Sequence, residues 1–380
     1  MDDGPRPGRR PPPHRRHGMS MAFTVVGTPG DRRVTLFADA CARLGLEPPE
    51  VVAWRDVLGG EAMRIRPGTV LRVDSPGESA ECDALLRGPG DPARVGGGAR
   101  WYAVFTAALD RIAAAAARAG ARSLNDPAEI AVMFDKRRCH ARLAAAGVPV
   151  PPALEGPVTG YACLREQMAR AGMSRVFVKP AHGSSGSGVI ALQVHRDRIK
   201  AVTSAVPDPD GVLRNSLRVR SLETEREVAA LIDALAPDGL HVERWFPKAA
   251  LDGRVLDLRV VVIAGTPAHA VVRTSRSPMT NLHMGGRRGD LTAVRAALGE
   301  PGWRRALDVC AQAAACFPGS HMVGVDLLVG VQWRHMAVAE VNAFGDLLPG
   351  LPGLPGTFAE GHDTYTAQII AALSLTGSAS

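Results

Sequence analysis

The chain switches between two hydrophobic rhythms. Residues 22–26 form a short apolar run that ends in Gly27-Thr28-Pro29-Gly30, and residues 32–44 then repeat apolar positions at helical spacing. A second apolar run follows at 51–54, after a Pro pair, so strand, turn, helix and strand predict a small βαβ-type domain over roughly 21–100. Residues 74–98 are dense in Gly and Pro and predict a loop or linker. Residues 101–119 are Ala-rich and close on Gly120, which predicts a helix with a Gly stop. Asn125-Asp126-Pro127 offers a capping side chain and a first-turn Pro, predicting a helix that runs to about Gly147, where Val148-Pro149-Val150-Pro151-Pro152 ends it. Strands are expected at 176–179 and 189–194 around a Gly/Ser loop, then at 258–264 and 268–274. A helix near 303–315 precedes strands at 323–329 and 336–341. No internal repeat is visible.

Composition narrows the class. With 380 residues, 46% hydrophobic and 22% charged, the chain can build a core and exceeds one ordinary domain. The net charge of +7 would suit a nucleic-acid partner, yet residues 1–18 alone carry five Arg against two Asp in a Pro-rich stretch that cannot pack. Residues 1–20 are therefore expected to be a disordered basic tail, or an upstream extension of a start at Met19 or Met21. The remaining excess is scattered, and nucleic acid is not the expected partner. Six Cys lie at 41, 82, 139, 163, 310 and 316 with no Cys-x-x-Cys pair, which argues against structural zinc and a disulfide framework. No apolar run reaches the roughly 18 residues of a membrane span, and no signal-like segment precedes Met19, so the cytoplasm is the expected compartment.

Two constellations carry chemistry. Lys179 stands at a strand end before Gly183, Ser184, Ser185, Gly186, Ser187 and Gly188; small residues let backbone N–H groups approach phosphate oxygens, and hydroxyls add donors. The run matches neither a Walker loop nor a dinucleotide-binding glycine motif, so a polyphosphate loop of another kind is expected. Farther on, Glu340 and Asn342 alternate onto one face of a strand, and a hairpin turning about Trp333 would set Asp326 opposite Glu340. Three oxygen ligands of that kind suit Mg²⁺, with Mn²⁺ as an alternative occupant. Arg259 and Arg273, on adjacent apolar strands, are candidates for gripping a transferred phosphoryl group.

Taken in order, Asp135-Lys136, Gly147-Val148-Pro149, Lys179-Pro180 with residues 183–189, Asp257-x-Arg259, Asn281-Leu282-His283-x-Gly285-Gly286, Gly324-Val325-Asp326 and Glu340-x-Asn342 resemble the ATP-grasp superfamily. The likeness is to the branch of the ribosomal-protein glutamate ligases and glutathione synthetases. It implies an α/β fold of the α+β ATP-grasp type: a Rossmann-like domain over 21–125, then an ATP-grasp domain over 126–375 whose halves, 126–245 and 246–375, clasp ATP. It further implies that Lys136 and Lys179 contact ATP, that residues 184–187 cover the triphosphate, that Glu243 and Asp257 serve adenine and ribose, and that Asn281 joins the phosphate site. Trp245 is expected near adenine. Asp326, Glu340 and Asn342 correspond to the metal ligands, and Arg259 and Arg273 to arginines that act on the γ-phosphate and an acyl phosphate.

The function so implied is ATP- and Mg²⁺-dependent ligation of a small-molecule or peptide carboxylate to an amine or thiol. The alternative is an ATP-binding accessory protein of a biosynthetic or maturation complex, without turnover.

Overall fold

The computed structural model describes residues 21–377, apart from positions 78, 184, 185, 197, 209, 346 and 347. The basic tail and the hydroxyl-bearing Ser184 and Ser185 thus lie outside the described residues.

The first domain is built on a four-stranded parallel sheet in the order β2-β1-β3-β4: β1 (Phe23–Gly27), β2 (Glu50–Ala53), β3 (Val70–Val73) and β4 (Arg122–Ser123). Helices α1 (Arg32–Arg43), α2 (Trp54–Gly59), α3 (Ala80–Arg87) and α4 (Gly98–Arg118) complete it. The βαβ expectation holds. The 74–98 loop does not hold throughout, because Ser79 accepts from the Cys82 N–H and caps α3 inside it, with Cys82 and Leu86 buried. Gly and Pro at the two ends mask that short amphipathic turn.

The helix expected up to Gly147 is two helices, α5 (Pro127–Phe134) and α6 (Lys136–Ala145). Asp135 breaks the run: its backbone is extended, and its carboxylate accepts from the Arg137 and Arg138 N–H groups. A residue that caps the second helix cannot continue the first.

A five-stranded antiparallel sheet follows, in the order β8-β7-β6-β5-β9. Its strands are β5 (Arg175–Pro180), β6 (Ile190–His195), β7 (Arg198–Pro207), β8 (Leu213–Leu222) and β9 (Leu240–Arg244), and helices α7 (Tyr161–Arg170) and α8 (Glu225–Leu235) cover one face. The period of two puts Val176 and Val178 against those helices and Phe177 and Lys179 on the opposite face.

The third sheet runs β13-β12-β11-β14-β15, with β10 (Ala250–Leu251) paired to β11 (Arg254–Ile263). Its other strands are β12 (Thr266–Ser275), β13 (Arg287–Arg288), β14 (Met322–Val329) and β15 (Met336–Asn342). Helix α9 (Leu291–Ala315) starts earlier than the 303–315 expected; Gly299, at φ 65, interrupts its helical pattern. The buried Leu256, Leu258, Val260 and Leu327 share a core with Trp303, Ala306 and Cys310 of α9. Helix α10 (Thr364–Gly377) returns to the first domain and packs on α1.

Candidate active site

The face of the third sheet turned away from α9 carries charge across neighbouring strands. In register, Arg273 of β12 lies opposite Asp257 of β11, while Arg259 of β11, Asp326 of β14 and Glu340 of β15 form the adjacent row. The hairpin about Trp333 therefore sets Asp326 opposite Glu340, as its spacing predicted. A register shift follows at once, since Leu327 pairs with Val338 and Ala339 is the extra residue. Such a bulge re-aims its neighbours. Here the Ala339 carbonyl accepts from Lys179 Nζ at 3.5 Å, which joins the two antiparallel sheets.

Both sheets line one cleft, which includes Phe177, Lys179, Gly186, Glu243, Asp257, Arg273, Asn281, Asp326 and Glu340. Lys136 reaches it from the first turn of α6, donating to the Gly183 carbonyl and pairing with Glu340 at 3.1 Å. Lys179 pairs with Glu243 at 2.6 Å, and His241 lies 3.2 Å from the same carboxylate. Glu243 is 3% exposed. Burial alone would push its pKa up, but Lys179 and His241 outweigh that and hold it at about 2. Asp257 behaves alike: burial opposes its charge, and Arg273 at 2.8 Å with Lys248 at 3.4 Å brings it to about 2. Asp326 is held low against its burial by Arg259 and by Arg273, whose Nη2 lies 3.1 Å away.

The five cations Lys136, Lys179, Lys248, Arg259 and Arg273 thus face four carboxylates, Glu243, Asp257, Asp326 and Glu340. Burying that many charges is tolerable only because each has an opposite partner. The Asn342 amide donates to the Gly324 carbonyl at 3.3 Å, within the β14–β15 pair. Asn281 enters from the loop after β12. Gly286 lets that loop close, because a Cβ there would come within 2.6 Å of the Asn281 carbonyl oxygen.

Trp245 sits beside the cleft, its ring 5.2 Å from Phe177 and under the Arg175 guanidinium at 4.4 Å; Phe246 is the aromatic that lines the cleft from this segment. Among the described residues no cluster of three His, Cys, Asp or Glu forms a metal cage. The oxygen-rich pair Asp326 and Glu340, with Asn342 two residues on, instead fits a hard cation that takes few protein ligands and shares the rest with phosphates.

Sequence reasoning missed Lys248 and Thr280. Lys248 Nζ donates to Thr280 Oγ1 at 3.0 Å, and Thr280 in turn donates to Asp257. The signal in the sequence is a lone Lys after Pro247, and only the fold brings it under Asp257. No helix of the described residues is long and apolar enough to cross a membrane.

No family model and no curated protein matches the chain. Solved structures do. The D-cycloserine synthetase DcsG aligns over 93% of this chain and 99% of its own, at 20% identity and a TM-score of 0.54. The ATP-grasp ligase PsnB, complexed with a phosphomimetic variant of its minimal precursor, Mg and ADP, aligns over 94% and 99% at 17% identity and 0.52. The macrocyclase MdnC of Microcystis aeruginosa, bound with its precursor peptide MdnA, aligns over 94% and 100% at 12% identity and 0.52.

Proposed function

From the premise that this chain has the ATP-grasp fold, we propose that it is an ATP-dependent ligase that joins a carboxylate to an amine through an acyl phosphate. The observation that supports this most is the meeting of five cations and four carboxylates on the facing surfaces of two antiparallel sheets, around one cleft. That arrangement suits phosphoryl transfer, where positioning and charge neutralisation do most of the catalysis. The structural neighbours are named as a ligase, a synthetase and a macrocyclase, one bound with a precursor peptide and one complexed with a variant of a minimal precursor, so peptide or small-molecule acids and amines are the substrate class we assign.

In this reading Lys136 and Lys179 hold the nucleotide phosphates, with the backbone of Gly183, Gly186, Ser187 and Gly188 beside them. Glu243 and Asp257 receive the ribose and adenine end. Asp326, Glu340 and Asn342 would hold Mg²⁺, which when bound neutralises charge on the β- and γ-phosphoryl oxygens. Arg259 and Arg273 orient the substrate carboxylate toward the γ-phosphate. The carboxylate oxygen forms a bond to phosphorus as the bond to ADP breaks. The neutral amine nitrogen then attacks the acyl carbon, the bond from that carbon to the phosphate oxygen breaks, and inorganic phosphate leaves with the former carboxylate oxygen and the proton that the nitrogen sheds. Arg259 and Arg273 also favour the charge that develops on the acyl group.

The test is phosphate release over a panel of acids and amines, with ¹⁸O placed in the stimulating carboxylate. One ¹⁸O in the released phosphate is expected. Stimulated release with no label transfer would contradict the acyl phosphate, and no stimulation by any pair would contradict ligation.

A further inference from the structure

On β9 the period of two puts His241 and Glu243 on one face of the strand, and the pairing with β5 sets Lys179 directly opposite His241. The three side chains meet around one carboxylate. Lys179 Nζ lies 2.6 Å from Glu243 Oε1, and His241 Nε2 lies 3.2 Å from Oε2, so a different partner holds each oxygen. An ionised carboxylate only accepts, which fixes the tautomer: the hydrogen of the neutral His241 ring is on Nε2 and the lone pair on Nδ1.

Helix α6 packs on the other side of the ring. Lys136 and His140, one helical turn apart, share a face of that helix. Lys136 reaches Gly183 and Glu340, while the His140 ring lies 4.9 Å from the His241 ring and its Nε2 donates to the Pro151 carbonyl at 2.8 Å. Residues 152–154 run along the outer edge of β9, with Arg244 N–H donating to the Pro152 carbonyl at 2.7 Å and Leu154 N–H to the Val242 carbonyl at 2.9 Å. That segment, Pro152-Ala153-Leu154, brings no titratable group. The groups that face His241 are therefore Glu243 from its own strand, Lys179 from β5 and His140 from α6. Burial keeps the His241 ring below its ordinary pKa; Glu243 pulls it upward, and Lys179 and His140 push it down again. His241, 6% exposed, is thus neutral, and the charges of Lys179 and Glu243 cancel within the trio.

That balance holds only while Glu243 is the one anion beside Lys179. An ammonium has three donors; Lys179 directs two toward Glu243 and the Ala339 carbonyl, which leaves one for a phosphate oxygen. With a phosphate in place, one cation answers two anions, and the buried Glu243 cannot turn to water for the difference. The group placed to supply it is the imidazole on Oε2. We propose that His241 takes up a proton when the phosphates of a nucleotide reach Lys179, and so acts as a positioning residue that keeps Glu243 in place in the loaded cleft. The proton comes from solvent and bonds to Nδ1, the Nε2–H stays on Glu243, and no other bond changes. The inference rests on the reading that this cleft binds a nucleotide.

Calorimetric titration of the full chain with ADP and MgCl₂ near pH 7, repeated in buffers of different ionisation enthalpy, counts the protons exchanged. Net uptake of at least about 0.3 proton per ADP is expected, with an affinity that rises as the pH falls from about 8 to about 6.5. The terminal phosphate of ADP can only release a proton on meeting cations, which is the opposite sign. His241→Gln keeps a donor toward Glu243 and cannot take a proton; it should bind ADP with the uptake lost and the affinity no longer rising as the pH falls. Uptake by another group, such as Lys248, would survive that substitution. Should His241→Gln fail to fold, His241→Asn decides. ADP binding without uptake in the unaltered chain, or uptake that a folded variant retains, overturns the proposal alone; absence of ADP binding overturns the nucleotide reading together with it.

Discussion

Lys179 illustrates how single residues bear this site. It is 9% exposed, at 2.6 Å from a Glu243 carboxylate that is itself buried. Removing one partner of such a pair strands the other. Lys179→Met is expected to destabilise the fold by about 3 kcal/mol in urea unfolding, against under 1 kcal/mol for an exposed pair. The same burial sets the response to pH. Glu243 and Asp257 both titrate at about 2 in the folded chain, below the ordinary values of 4.5 and 3.8. A depressed carboxylate pKa contributes stability that is full above the unfolded value and is lost as pH falls through the folded one. The urea midpoint should therefore fall steeply between about pH 4.5 and pH 2, and Glu243→Gln should flatten part of that fall. A midpoint independent of pH in that window would contradict the pairing. Lys179 stands out in the sequence at a strand end before a glycine-rich run, whereas Glu243 and Asp257 are picked out only through the family resemblance. Lys248 is picked out by neither, since only the pairing of β10 with β11 folds its segment back under the cleft.

Elements place these residues, and they were legible where one rhythm ran unbroken. The β14–β15 hairpin was readable to the register because apolar residues surround Asp326 and Glu340 on both strands. Strands β7 and β8 are not apparent from the sequence; in β8 the exposed Arg218 and Arg220 flank a partly buried Val219, and a half-solvated strand tolerates such charge. The break at Asp135 was also missed, because Ala and Leu continue the helical pattern past it. That break directs Lys136 toward the cleft, and α6 depends on the Asp135 cap. Asp135→Ala should cost about 1 kcal/mol of stability through the lost cap. It should also weaken nucleotide binding, by several-fold in a fluorescent-ADP titration, since Lys136 loses its fixed start. Unchanged affinity with the expected stability loss would show that the cap holds the helix alone.

At the scale of the whole molecule the chain closes on itself. Arg72 of β3 and Asp74 just beyond it form a buried pair at 2.7 Å, and Arg72 also donates to Gln368 of α10, with the Phe37 and Tyr365 rings on either hand at 4.6 and 5.1 Å. The last helix thus completes the first domain, with Tyr365, Ile369 and Ala372 in its core. A chain ending before Thr364 should lose cooperative unfolding of the first domain and expose that apolar face, seen as dye binding; a truncated chain that melts like the full one would contradict this. The central claim concerns the cleft between the two antiparallel sheets. Its most direct test is calorimetric titration of the full chain with ADP in the presence of MgCl₂. One site per chain is predicted, weakened tenfold or more by Lys136→Met and by Glu340→Gln; absence of binding, or binding that both variants retain in full, would contradict it.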